Sequence, residues 1–164
     1  MAEYAEAVGA LYQEITGLLI KQNITAATME SCTAGLIASL LTDVPGASAV
    51  FLGGSVTYCN REKVRMGVAE EILEEHGVYS AQTALAMARA CRENTGAELG
   101  IGITGVFGNP DPANPEGLPG QIYFAIDRAG KAEAYHKSLP AQKDRPGYKL
   151  AAAEAVGKAL LETL

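Results

Sequence analysis

Histidine, paired cysteine and basic clusters are what this chain has least of, and each shortage removes a class of function. Two histidines, His76 and His136, stand far apart in 164 residues, so a zinc site has few ligands to draw on. Cys32, Cys59 and Cys91 are an odd set with no close spacing, which argues against a disulfide framework. No apolar run approaches the ~18 residues that a membrane span needs. Residues 1–6 are acidic and lack the basic opening of a secretory leader, so the chain is expected in the cytoplasm, without a membrane role. There is no basic run either, and a net charge of −6 opposes broad contact with a phosphate backbone. A nucleic-acid role is therefore not expected, while one small anionic ligand stays open, because a local site needs only a few donors. Repeats, linkers and low-complexity tracts are also missing, which predicts one domain over residues 1–164.

What is present is globular material, with an apolar share of 48% that suffices for a buried core. Leu11, Ile15, Leu18 and Leu19 recur at helical spacing and predict an amphipathic helix over 3–22. A short strand follows at 25–29, then a helix over 33–41 that ends near Asp43 and the Pro45-Gly46 turn. Residues 49–58 are strand-like but interrupted by Gly53-Gly54, which suggests a bulge or a close backbone approach. Short helices are expected over 61–66 and 69–75, and a clearer one over 81–94, capped by Ser80, with Leu85, Ala88 and Cys91 inward. A strand over 98–104 leads into a proline-rich loop, 109–120. Residues 121–127 and 131–138 form a hairpin about Arg128-Ala129-Gly130, and a last helix spans 147–161. Alternating helices and strands imply an α/β fold, a three-layer α/β/α sandwich on a mostly parallel sheet of about five strands that the hairpin makes mixed. In such sheets ligands collect at the carboxyl ends of strands, here after Met29, Thr57 and Thr104.

Three segments at those ends carry chemistry-bearing residues. In Glu30-Ser31-Cys32-Thr33-Ala34-Gly35 a strand turns into a helix, where free amides point outward and favour an oxyanion or a phosphate. Ser31 is a candidate nucleophile there, although Ser31 or Thr33 could equally serve as the helix cap. Cys32 is a rival nucleophile, since a helix start lowers a thiol's pKa, or else a small buried apolar residue. In the second segment, 53–63, Tyr58 ends a strand and Lys63 lies about one turn into the next helix. A desolvated lysine can act as the base that a serine needs, and a tyrosine can relay the proton; otherwise the two are a surface lysine and a half-buried tyrosine. The third, Thr104-Gly105-Val106-Phe107-Gly108, has glycines that admit a ligand or make an ordinary tight turn. Arg145, ahead of the last helix, has a planar fork suited to a phosphate or is simply solvated, and His76 before Gly77 reads as a helix-end residue.

Taken in register, Glu30–Gly35, Gly54–Asn60 with Lys63, Thr104-Gly105, Pro119-Gly120 and Asp144-Arg145 resemble the CinA C-terminal domain family through nearly the whole chain. That family includes the stand-alone bacterial nicotinamide-nucleotide amidohydrolases, or nicotinamide mononucleotide deamidases. The resemblance implies a five-stranded mixed sheet and a salvage reaction in which nicotinamide mononucleotide and water give nicotinate mononucleotide and ammonia. By it Ser31 is the nucleophile, activated by Tyr58 and Lys63, and Thr33, Ser48, Gly54, Asn60, Thr104, Gly105 and Arg145 are substrate-binding positions. It implies a free-standing form of the module, a homo-oligomer and a small-molecule nucleotide as partner. No cofactor and no metal are expected, because the motif segments hold no histidine and no clustered carboxylates.

The chain departs from the family pattern at three places. Ala34 stands where a second glycine is usual, the 63–68 stretch is one residue short, and the glycine-rich stretch after Gly105 is replaced by Val106-Phe107-Gly108-Asn109-Pro110-Asp111-Pro112. Phe107 is expected to add bulk where small residues leave room for ligand. A catalytically silent nucleotide-binding module, or an oligomeric scaffold built on alanine-rich helices, is the alternative to an enzyme.

Overall fold

The computed structural model describes residues 1–109 and 111–164; Pro110, within the substituted loop, lies outside the described residues. Helix α1 (Ala2–Gln22) buries Val8, Tyr12, Ile15, Thr16 and Leu19 along one stripe and ends at Asn23 in the left-handed region, φ 58. Leu11 and Leu18 flank that stripe and stay half-buried. Strand β1 (Ala26–Glu30) is buried at every position, as the central strand of a sheet covered on both faces must be. Helix α2 (Leu36–Thr42) and a 3₁₀ turn (Ala47–Ala49) lead to β2 (Phe51–Val56). The pairing of β1 with β2 shifts register opposite Ala26/Ala27, which is the bulge expected near Gly53-Gly54.

Helices α3 (Asn60–Arg65), α4 (Glu70–His76) and α5 (Ala81–Thr95) precede β3 (Leu99–Gly105). Ser80 caps α5 as expected, its hydroxyl accepting from the Thr83 amide at 3.1 Å. The hairpin of β4 (Gln121–Arg128) and β5 (Lys131–Ser138) follows, then α6 (Arg145–Thr163). Strand order is β2-β1-β3-β4-β5, parallel across the first three and antiparallel across β3-β4 and β4-β5, so only β4 runs against the rest.

Helices α1, α2 and α6 cover one face of the sheet, against Ile101, Ile103, Ile122, Phe124 and Ile126. Helix α5 covers the other face, and α4 packs on it. The two sides are reached by alternation in β3: its isoleucines point toward α1 and α6, and Gly100 and Gly102 point toward α5. A Cβ at Gly102 would lie 2.5 Å from both the Ala84 carbonyl oxygen and the Ala88 amide, so α5 sits where only hydrogen fits. Arg92 of α5 reaches the fully buried Asp127 of β4 at 3.0 Å and ties that helix to the sheet. Gly102→Ala is expected to cost about 1–3 kcal/mol by overpacking and to lower Tm by several degrees. Thermal unfolding with unchanged Tm would show that α5 can back away from the strand.

Candidate active site

Strands β2 and β3 flank β1, and the chain leaves β1 over one face of the sheet and returns to β3 from the other. The carboxyl ends of β1 and β3 are therefore a topological switch point, where a crevice opens. The first segment begins there. Ser31 continues the ladder, its amide donating to the Ile103 carbonyl at 3.1 Å, and the chain then turns through Ala34 (φ 51) and Gly35 (φ 92) before α2 starts. Ala34 thus holds a left-handed conformation that a glycine adopts without steric cost.

Neither Ser31 nor Thr33 caps α2. That role falls to the buried Glu30, whose carboxylate accepts from the amides of Gly35 (3.1 Å), Ile37 (3.1 Å) and Ala38 (2.8 Å) and from the Thr33 hydroxyl (2.6 Å). The helix accordingly begins at Leu36, later than the expected residue 33. Because Glu30 serves the helix, the Ser31 hydroxyl is left free to face elsewhere, and it lies 3.1 Å from Lys63 Nζ. Among the described residues no hydrogen bond to a carbonyl or carboxylate engages the Cys32 and Thr33 amides beside it.

Lys63 is the only buried residue of α3, 1% exposed, and its amine also donates to the Thr57 carbonyl at 2.8 Å. Burial lowers its pKa from 10.5 to about 8, against the opposing effect of the Asp111 carboxylate. Cys32 is itself pushed up to about 12 by burial, so its thiol is neutral where Lys63 titrates. Of the two readings of Cys32, the small buried residue is the one the structure favours over a thiol activated by a helix start: the residue is buried, and the turn intervenes before α2 begins.

Tyr58 is 58% exposed, and its hydroxyl accepts from Arg145 Nη2 at 2.9 Å; it is not hydrogen-bonded to Ser31 or Lys63. Tyr58, Arg145, Cys32, Tyr79 and Gly105 line a cavity of about 460 Å³; Ser31 and Lys63 do not line it themselves, and Cys32, next to Ser31 in the chain, brings the pair to its wall. That volume suits a small organic ligand, for which pockets run roughly 300–1,000 Å³. Phe107 does not fill it. It is part of the wall, but its ring is buried and stacks on Tyr148 of α6 at 5.6 Å.

The remaining expected binding positions separate. Gly105 and Arg145 reach the cavity. Thr33 is committed to Glu30, and the buried Thr104 hydroxyl donates to the Val78 carbonyl at 3.0 Å, fixing the segment that carries Tyr79. Gly54 lies within β2, where a Cβ would meet Thr28, Phe51 and Ala38, so it serves packing under α2. Ser48 is exposed on the 3₁₀ turn before β2, at the amino edge of the sheet and thus the opposite end from Ser31. Asn60 pairs amide to amide with Asn114, at 3.0 and 3.3 Å, and pins the proline-rich loop. Tyr79, Asp111 and Asn114 went unnoticed in the sequence. The run Asp111-Pro112-Ala113-Asn114-Pro115 is turn chemistry that would have pointed to an ordered loop.

Among the described residues no three histidine, cysteine or acidic side chains cluster as a metal site, and no helix is long and apolar enough to cross a membrane. A CinA-like protein of Chlorobaculum tepidum is 39% identical over 167 aligned residues, covering 98% of this chain and 39% of the relative. A putative competence-damage inducible protein of Moorella thermoacetica is 41% identical over 134, covering 80% and 32%. The chain thus spans about a third of the length of the curated relatives it matches. Among solved structures, the competence/damage inducible protein CihA of Agrobacterium tumefaciens superposes with a TM-score of 0.83 at 30% identity, covering 94% of each chain. A CinA superfamily protein of Escherichia coli gives 0.87 at 24% identity, covering 96% of this chain and 90% of its own, which speaks for the fold. The family model of the CinA C-terminal domain matches residues 9–164, and the chain belongs to that family.

Proposed function

We propose that this domain is a serine amidohydrolase that converts nicotinamide mononucleotide and water to nicotinate mononucleotide and ammonia. The observation that carries the reading is a serine hydroxyl 3.1 Å from a buried lysine amine whose pKa is lowered to about 8, beside a cavity of small-molecule size. Neutral Lys63 takes the Ser31 proton as Oγ attacks the carboxamide carbon. The oxyanion so formed faces the Cys32 and Thr33 amides. The Lys63 ammonium returns its proton to the nitrogen as the C–N bond breaks, and ammonia leaves an acyl-serine. Water, deprotonated by the same amine, then releases the carboxylate and restores Ser31. Arg145, held by Tyr58, receives the phosphate with its planar fork.

Since the lysine must be neutral to act, about one molecule in ten is competent at pH 7 and half at about 8. Purified protein is expected to release ammonia from nicotinamide mononucleotide, with kcat/KM rising with pH, bending at about 8 and levelling roughly one pH unit above that. Nucleotide binding without ammonia release at any pH would identify a silent module instead. A profile that is flat through pH 8 would remove Lys63 as the base.

A further inference from the structure

The cavity wall carries two opposite charges that do not neutralise each other. Arg145 stands at the first turn of α6, and Asp111 enters from the loop between β3 and β4; neither is in an ion pair with a described residue. Arg145 is oriented by Tyr58. Asp111 is oriented too, despite its loop position: Oδ1 accepts from the Ala113 amide at 3.0 Å, and Oδ2 accepts from Asn114 Nδ2 at 3.2 Å. Asn114 is 7% exposed and is locked to Asn60, the first residue of the helix that carries Lys63. The carboxylate is thus referenced to the same short helix as the base. Two of its roughly four lone-pair sites are used, which leaves the rest for a ligand. Its negative charge is felt at the cavity wall: it adds to burial in raising the Tyr79 pKa and opposes the burial that lowers that of Lys63.

We infer that Asp111 is a specificity-determining residue that makes the cavity bipolar, so that it selects a ligand with an anionic phosphate at Arg145 and a cationic ring near Asp111. The inference rests on the reading of the site as one for nicotinamide mononucleotide, whose ring is a pyridinium cation. A carboxylate beside such a ring lowers the energy of the bound ligand by an amount that a neutral ring of the same shape does not share.

The test uses the oxidised nucleotide, with its charged ring, and the reduced one, with a neutral dihydropyridine ring and the same phosphate and carboxamide. Binding of each is measured by calorimetry in Ser31→Ala protein with and without Asp111→Asn, so that no turnover intervenes. Asparagine keeps an acceptor for the Ala113 amide. The expected result is about a tenfold loss of affinity for the oxidised nucleotide and less than a twofold change for the reduced one. Equal losses for both would assign Asp111 a purely structural role in its turn and overturn the inference, as would no loss for either. If neither nucleotide binds the Asp111-containing protein, the substrate reading fails and the inference falls with it. Discrimination by ring charge in a protein that releases no ammonia would instead uphold Asp111 and overturn only the hydrolase.

Discussion

Replacing Ser31 by alanine is expected to lower single-turnover ammonia release by about 10⁴–10⁶-fold, the scale of losing a nucleophile that acts as one unit with its base. Ser31 is 8% exposed and the one side-chain partner of its hydroxyl is Lys63, so folding and nucleotide affinity should change little. Cys32→Ser on the same turn should leave most activity, because a thiol pushed up to about 12 is protonated at working pH. Tyr58→Phe should act mainly on KM, since its hydroxyl holds Arg145 at 2.9 Å rather than bonding to Ser31. The opposite ranking, with activity kept in Ser31→Ala and lost in Cys32→Ser, would make this a cysteine enzyme.

Lys63→Met is expected to remove turnover to a similar extent, and Lys63→Arg should not restore it, because a guanidinium stays protonated and cannot accept the serine's proton. Stability gives a second, independent readout. The folded-state pKa of about 8 lies below the unfolded value of 10.5, so between them the unfolded chain binds more protons and stability rises with pH across that window. The methionine variant lacks this contribution, and background titrations cancel when the two proteins are compared. Wild type should therefore gain about 3 kcal/mol relative to Lys63→Met as pH rises from about 8 to about 10.5. Denaturant melts of both proteins at the two ends of that range measure it. A difference independent of pH would mean that Lys63 titrates near its ordinary value and is too solvated to be the base.

Much of the fold was legible because helix and strand periods are local. The spacing of apolar residues in α1, the Ser80 cap of α5 and the hairpin about Ala129-Gly130 each lie within a few residues of the signal that announces them. The start of α2 was not legible in this way. Its cap comes from Glu30, at the end of the preceding strand, and no short-range rule looks for a carboxylate five to eight residues ahead of the amides it serves. Ser48, Gly54, Asn60 and Thr104 carry the right residue types, yet a motif match says nothing of which sheet edge or side of a strand a residue occupies.

The amino-acid order by itself determined the alternation of helices and strands, the position of three motif segments after strands, and the residue types for serine chemistry, since each depends on contacts between neighbours in the chain. Only the tertiary structure decided which of those residues meet. The Ser31–Lys63 contact joins residues 32 apart, the Asn60–Asn114 latch residues 54 apart, and the Tyr58–Arg145 bond residues 87 apart. It also decided what the lysine can do. Burial gives Lys63 its lowered pKa, and burial is a property of the folded surroundings of α3 rather than of the residues on either side of it.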